Sequence, residues 1–266
     1  MKIQGIIKNI TLKISIITVC YNSASTIRDT FESILAQTYS NIEYVIIDAN
    51  SNDETPLIIK EYESKFNNKM TWISEPDNGL YDAMNKGIKM ATGDIIGILN
   101  SDDYYISKNV LSNIVKIMSE KNLDSCYGNL LYVKNGKPYR YWKSGNYKSF
   151  KMGWMPPHPA FFVKKLVYEK YGLFRLDCGV NADYEIMLRF LEIYNISTQW
   201  IDKVIVCMAV GGKSNNGLQA RINAIYDNKT AWKVNNIKPY IFTFFLKRLN
   251  KIPQYFKAIY FKQEKI

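Results

Sequence analysis

The sequence predicts an α/β protein built on a mostly parallel central sheet, with helices on both faces and a helical, basic C-terminal extension. Three observations carry this. Short apolar runs rich in β-branched residues alternate with amphipathic stretches, the pattern of successive βαβ units. Each of these runs stops at a polar cluster. The chain of 266 residues, 47% hydrophobic and 14% aromatic, is long enough to bury one substantial core.

The elements follow in order. Ile14–Cys20, "ISIITVC", is a buried strand, and Ile27, Phe31, Ile34 and Leu35 then recur at helical spacing. "IEYVIID" (Ile42–Asp48) is a second buried strand. Leu57, Ile58, Glu61, Tyr62 and Phe66 lie on an amphipathic helix, with Pro56 near its first turn. "MTWIS" (Met70–Ser74) is a third strand, "LYDAMNKGIKMA" a helix and "DIIGILN" a fourth strand. The second half is less regular. A helix over 107–121 leads to "SCYGNLLYV" and "KPYRYW", strands joined at an Asn135-Gly136 turn. A loop rich in Gly, Pro and aromatics follows, then a helix near 181–193, a strand near 198–208 and a Gly211-Gly212 turn. The change near residue 105 reads as a shift of character within one domain, 1–212, with halves of about 12–105 and 106–212. Residues 213–266 form the extension.

Charge separates these parts. The formal net charge is +11; residues 213–266 hold 11 Lys/Arg against 2 Asp/Glu, and the first 212 hold 24 against 22. The basic character therefore belongs to the extension. Four scattered Cys and a single His argue against a zinc site or a disulfide framework, and a reducing cytoplasm fits best. The first 20 residues are not expected to be a signal peptide, because Lys8, Asn9 and Lys13 interrupt the apolar run. No run of about 18 apolar residues is present, so no membrane-spanning helix is expected.

In open parallel sheets, ligands bind beyond the carboxyl ends of the strands. Strand one ends in Thr18, Cys20, Tyr21 and Asn22, strand two in Asp48, Ser51, Asp53 and Thr55, and strand four in Asn100, Ser101, Asp102 and Asp103. Asp53 and Thr55 are equally well explained as a turn or a helix cap. Asp102 and Asp103 repel each other as adjacent carboxylates, and a divalent cation shared with a phosphate would relieve that repulsion.

Four segments, "SIITVCYNSASTIRDTFESILAQTY", "IIDANSNDET", "EPDNGLYDAMNKGIKMATGDIIGILNSDD" and "NADYEIMLRF", together resemble family 2 glycosyltransferases over about residues 12–210. The resemblance implies the GT-A (Rossmann-like) fold and an inverting enzyme of the hexosyltransferase type. Its donor would be a nucleotide-sugar, expected to be a UDP-sugar, and its metal Mn²⁺ or Mg²⁺. The acceptor would be a hydroxyl of a lipid-linked glycan in bacterial surface polysaccharide synthesis. It assigns Thr18, Tyr21, Asn22, Asp48, Ser51, Asp82, Asn85 and Ser101 to the nucleotide-sugar, Asp102 and Asp103 to the metal, and Asp183 to the general base. Trp154 and His158 would contact acceptor or donor sugar.

Three departures from the family pattern stand out. Asn100 occupies the first D-x-D position, Ala182-Asp183 replaces a Glu-Asp pair, and Met84 stands where many relatives have Arg. Lys86 is the nearest replacement charge, though a helix turns it about 100° from Asn85. Transfer chemistry is coherent with these residues: a cation for the leaving diphosphate and a base for the acceptor hydroxyl. Two rival readings stand beside this one. A nucleotidyltransferase would have a Gly-rich basic loop after strand one, which "TVCYNSAST" lacks. A catalytically weak nucleotide-sugar or membrane-binding protein is suggested by Asn100 and Ala182.

In the tail, Phe242, Phe245, Leu246, Leu249, Ile252, Phe256 and Ile259 recur at three and four among Lys and Arg, with Pro253 expected to kink the element. Such a helix pair packs on the domain, on a second subunit in a homodimer, or on anionic lipid. The lipid-linked acceptors implied by the resemblance favour lipid, hence a cytoplasmic protein peripheral to the inner face of the membrane. No nucleic-acid reading module accompanies the charge.

Overall fold

The computed structural model describes residues 11–210 and 229–259. The Gly211-Gly212 turn lies outside the described residues. One nine-stranded sheet organises the chain. β1 (Ile14–Cys20), β2 (Ile42–Asp48), β3 (Met70–Ser74) and β4 (Ile95–Ile98) form its parallel part in the order β3-β2-β1-β4. β1 is buried on both faces, and its alternation sorts its residues. Ile14, Ile16 and Cys20 pack with Phe31, Tyr44 and Ile58, while Ile17 and Val19 pack with Ala83, Met84 and Ile88. Helices α1 (Ile27–Leu35) and α2 (Thr55–Glu63) thus cover one face, and α3 (Leu80–Met90) covers the other. Each fully buried Ile or Phe contributes about 1.5–3 kcal/mol to this arrangement.

The second half adds strands of mixed direction. β5 (Asp103–Tyr105) reverses after the acidic turn and pairs antiparallel with β9 (Thr198–Ala209), and α4 (Val110–Glu120) follows it. β6 (Ser125–Lys134) pairs antiparallel with β7 (Lys137–Trp142) through the Asn135-Gly136 turn, where both residues have positive φ. β8 (Phe161–Lys164) lies between β4 and β6, antiparallel to both, and joins the two halves of the sheet. Gly97 makes room for it: a Cβ there would stand 2.5 Å from a ring carbon of Phe162. Short α5 (Lys165–Tyr171) follows, and α6 (Ala182–Leu188) runs into one π-helical turn at Arg189–Ile193.

The tail packs on the domain. Trp232 is buried and its indole N–H donates to the Tyr184 hydroxyl at 3.0 Å. Helix Thr243–Leu249 sits on the turn at 150–153, where the Thr243 hydroxyl donates to the Lys151 carbonyl at 2.6 Å. A Cβ on Gly153 would fall within 2.8 Å of the Lys247 Cα, so the glycine sets how closely that helix approaches. Helix Ile252–Ile259 rests along β7, with the rings of Tyr139 and Tyr255 5.7 Å apart. The break falls at Asn250-Lys251 and Pro253 sits in the first turn of the second helix, so the proline starts a helix instead of kinking one. Phe242, Phe245, Leu249, Ile252 and Phe256 stay exposed. Among the described residues no helix is long and apolar enough to cross a membrane.

Candidate active site

Because β1 to β4 run parallel, their carboxyl ends share one edge, and the register places Cys20 beside Asp48 and Asp48 beside Ser74. The Asp48 carboxylate is fully buried and accepts from four donors: the Ser51 N–H (3.1 Å), the Ser51 hydroxyl (2.5 Å), the Ser74 hydroxyl (2.6 Å) and the Cys20 thiol (3.6 Å). Two oxygens offer about four lone-pair positions. Asp48 is therefore tied into the protein frame and orders the loop after β2. Ser51 also accepts from the Asn22 N–H at 2.8 Å, and the Asn22 side chain accepts from the Asn52 N–H at 3.0 Å. These bonds hold the loops after β1 and β2 together, with the Tyr21 ring exposed on their rim. Asp53 accepts from the Ala24 and Thr55 N–H groups.

The Thr18 side chain is buried among β1, β2 and β4, donating to the Leu99 carbonyl at 2.8 Å and accepting from Tyr44 at 2.9 Å. The Asn85 amide donates to the Phe174 carbonyl and accepts from the Phe174 N–H, both at 2.9 Å, so it clamps α3 to the segment before α6. Lys86 is likewise spent: its ammonium pairs with Glu75 at 2.7 Å and Asp77 at 2.5 Å.

The acidic turn divides its two carboxylates. Asp102 is half-buried, and its pKa is raised by burial. Asp103 opens β5, is fully buried and receives the Asn100 amide N–H at 3.1 Å. Burial, and then the charge of Asp102, push the Asp103 pKa well above the usual carboxylate range. Asp103 is drawn inward by the strand that begins with it, and its Oδ1, like that of Asn100, is buried with no hydrogen-bond partner among the described residues. Ser101 ties the turn to the first loop through Ser23 at 2.8 Å. Among the described residues no cluster of three or more His, Cys, Asp or Glu could hold a metal. The donor set still fits one hard cation, because the buried Oδ1 of Asn100 has no hydrogen-bond partner among the described residues and Asp102 follows it two residues later.

Two cavities meet at Asp183. The smaller, about 510 Å³, runs from Asn100 past Tyr132 and His158; the larger, about 670 Å³, runs past Lys143, Trp154 and Ser144 to the tail helices. Asp183, Trp142 and Met155 line both. Asp183 sits in the first turn of α6, where the helix dipole favours a negative charge, and its carboxylate accepts the Tyr184 N–H at 2.7 Å. The helix is fixed from behind by buried Glu185 and Arg189, paired at 2.8 Å, with Arg189 also donating to the Tyr171 and Leu173 carbonyls. His158 is buried in the smaller cavity, edge-on to Phe174, and burial lowers its pKa against the pull of Asp183. Trp154 lines the larger cavity but is mostly buried among Tyr127, Tyr147 and Phe150, its N–H donating to the Ser144 carbonyl at 2.8 Å. Asp82, in the first turn of α3, accepts from the Asn78 N–H at 2.9 Å and so shapes the turn at Gly79, whose φ of +102° a side chain would strain. Asn78 and Gly79 line the smaller cavity; Asp82 does not.

Sequence reasoning missed Tyr132 and Trp142, which no spacing marked, and the tail lysines Lys247 and Lys251, which line the larger cavity. Their basic run was visible, but not that the helix would fold back onto the site.

The model of the family described as "Glycosyl transferase family 2" matches residues 15–181, more than half of the chain. An uncharacterized glycosyltransferase of Mycobacterium tuberculosis is 33% identical over 187 residues, covering 66% of this chain and 68% of its own length. A PGL/p-HBAD biosynthesis glycosyltransferase of Mycobacterium bovis is 26% identical, covering 76% of this chain and 78% of its own. Among solved structures, a mannosyltransferase from Pyrobaculum calidifontis in complex with GDP-Man and Mn²⁺ matches with a TM-score of 0.64 at 19% identity, covering 95% of this chain and 75% of its own. S. aureus TarS 1–349 in complex with UDP-GlcNAc matches with a TM-score of 0.60 at 17% identity, covering 93% and 79%. The two structural likenesses establish the GT-A fold, and together with the family match they show that this chain is a glycosyltransferase belonging to glycosyl transferase family 2.

Proposed function

We propose that the protein is an inverting transferase that moves one sugar from a nucleotide-sugar, a UDP-sugar in our reading, to a hydroxyl of a lipid-linked glycan in bacterial surface polysaccharide synthesis. The observation that carries this is the position of Asp183 on the wall of both cavities. A donor sugar in the smaller cavity, on the Asn100 side, and an acceptor in the larger one would both reach that carboxylate. The acceptor O–H proton passes to Asp183 as its oxygen attacks the anomeric carbon. The bond to the diphosphate breaks with its electron pair leaving on the diphosphate, and a single displacement inverts the centre. Asp102 and the Asn100 carbonyl oxygen would hold a divalent cation, Mn²⁺ or Mg²⁺, which when bound neutralises the leaving diphosphate. His158, kept neutral by burial, offers hydrogen bonds to a sugar without adding charge. Tyr21 offers a stacking face to the base, with Asn22, Ser51 and Ser101 holding the loops around it.

On this reading residues 1–212 carry the chemistry and 213–266 anchor the enzyme to the inner face of the membrane. The exposed Phe242, Phe245, Leu249, Ile252 and Phe256, beside exposed Arg248 and Lys251, support it. A relative named as a PGL/p-HBAD biosynthesis glycosyltransferase supports a biosynthetic role. The test is turnover of a nucleotide-sugar panel by the full-length protein with Mn²⁺. Release of UDP that stops on chelation is expected. No turnover of any donor, together with an unchanged cellular glycan in an Asp183→Asn strain, would refute the proposal.

A further inference from the structure

Arg140, on β7, carries a charge that no described residue answers. Its guanidinium carbon lies 3.7 Å from the centre of the Tyr132 ring and 5.7 Å from those of Trp142 and Tyr255. Among the described residues no carboxylate pairs with it, and its buried Nε has no hydrogen-bond partner. Aromatic faces hold a guanidinium through its plane and leave the N–H donors, which lie in that plane, unused. By contrast, Arg28 is paired with Glu61, Arg175 with Asp177 and Arg189 with Glu185.

The sheet register places this group. Asp103 pairs with Met208, Met208 with Tyr132 and Tyr132 with Arg140, so the four form one rank across β5, β9, β6 and β7. Cross-strand partners share a face of the sheet. At about 4.8 Å per strand, the backbones at the two ends of the rank stand roughly 14 Å apart. Met208 and Tyr132, the middle of the rank, line the smaller cavity, as do Trp142 and, bonded to Asp103 at the far end, Asn100. Arg140 stands outside that lining, one ring away from it. Burial raises the pKa of the Tyr132 hydroxyl, Arg140 pulls it down, and Asp103 and Asp183 push it up, so this ring feels the guanidinium and both site carboxylates.

The cavity needs such a cation. Its described lining holds no Lys or Arg, and Asp183 is the one carboxylate there. Met84, where many relatives have Arg, belongs to the lining, and Lys86 is paired with Glu75 and Asp77. A divalent cation at Asp102 offsets only part of a diphosphate's charge.

We propose that Arg140 grips the diphosphate of the nucleotide-sugar: its guanidinium turns on the Tyr132 ring and donates two N–H groups to phosphate oxygens, on the side away from the cation. The inference rests on the transferase reading above and adds a phosphate-binding residue to it. Paired, charge-assisted bonds to phosphate are the geometry a guanidinium offers, and no protein acceptor has to be given up to form them. When the bond to the anomeric carbon breaks, its electron pair goes to the diphosphate oxygen, and Arg140 meets the charge that gathers there. Tyr132 and Trp142 are then a platform that keeps the guanidinium beside the cavity before the donor arrives.

The test titrates the full-length protein calorimetrically, with Mn²⁺ present, using UDP, uridine and inorganic pyrophosphate as probes. Arg140→Gln should bind UDP and pyrophosphate about tenfold or more weakly, with uridine affinity within about twofold of wild type. Arg140→Lys should recover part of the loss, because it restores the charge without the fork. In the unaltered protein, UDP with Mn²⁺ should protect Arg140 from phenylglyoxal, read by mass spectrometry of its peptide, and uridine should not. UDP affinity in Arg140→Gln within about threefold of wild type, or no protection by UDP, would each overturn the inference. An equal loss for UDP and uridine would overturn it too, and would leave Arg140 as a group that docks the tail through Tyr255. The protection measurement decides the matter if the variants do not fold. Hydrolysis of nucleotide-sugars is followed in the same preparation. Hydrolysis with unchanged UDP binding in Arg140→Gln sinks only this inference. Arg140-dependent pyrophosphate binding without turnover of any donor sinks the transferase reading and leaves the anion site standing.

Discussion

Asn85→Ala separates a structural clamp from a ligand-binding residue. In the wild type the Asn85 amide makes two bonds of 2.9 Å to the Phe174 backbone, both in a buried setting. The variant loses both and leaves a buried N–H and C=O without partners. A buried hydrogen bond contributes about 1 kcal/mol net, and an orphaned buried polar group costs about 1–3 kcal/mol, so a loss of roughly 2–4 kcal/mol is expected. For a domain of this size that corresponds to a fall in Tm of about 5–15 °C. The Phe174 ring also lies 5.4 Å from that of Tyr81 and 5.5 Å, edge-on, from that of His158, so the packing beside the smaller cavity should loosen with it. Urea denaturation gives the stability change, and calorimetry with UDP and Mn²⁺ gives nucleotide affinity. The clamp predicts a clear drop in stability with UDP affinity held within about threefold at a temperature where the variant is folded. Unchanged stability with UDP affinity down tenfold would refute it and return Asn85 to the nucleotide site.

Asp102→Ala should abolish the Mn²⁺-dependent part of UDP binding, and unchanged calorimetric binding with Mn²⁺ would remove Asp102 from the metal site. Phe245→Ser/Phe256→Ser replaces two exposed rings and should leave Tm within about 2 °C; it should reduce sedimentation with phosphatidylglycerol vesicles at least tenfold, since each buried Phe contributes about 1.5–3 kcal/mol. Equal sedimentation would reject the lipid anchor. His158 has its folded pKa lowered by burial below the ordinary 6.5, so the unfolded chain binds its proton first. Its contribution to stability is present above pH 6.5 and is lost as pH falls from there toward the folded pKa; His158→Gln should flatten that limb of the stability profile, and an identical pH profile would contradict the assignment.

The first half of the fold was legible because its strands are buried on both faces and so spell continuous apolar runs: Ile14–Cys20, Ile42–Asp48 and Ile95–Ile98 all occur where those runs stand. β5 and β8 were not legible. Three residues after a turn and four residues leading directly into a helix carry no periodicity, and their pairing with β9, β4 and β6 is decided by distant partners. The site divides the same way. The sequence located the strand-end loops and Asp183, whose helix shows its start in "NADYEIMLRF". It did not show that Thr18, Asp48, Asn85 and Asp103 turn their polar groups into the protein frame, because a polar residue at a strand end looks the same whether it faces a ligand or a neighbouring backbone. The placement of Lys247 beside Asp183 depends on the tail docking against Gly153, a contact across nearly one hundred positions of chain.

The central claim is that Asp183 takes the acceptor proton. It is tested most directly by kcat for transfer in Asp183→Asn, measured beside the Kd for UDP with Mn²⁺. The amide keeps the shape and the Tyr184 N–H bond but cannot act as a base at neutral pH. The account predicts a loss of about 10²–10⁴-fold in kcat with UDP affinity within about twofold of wild type. A kcat within threefold of wild type would contradict it.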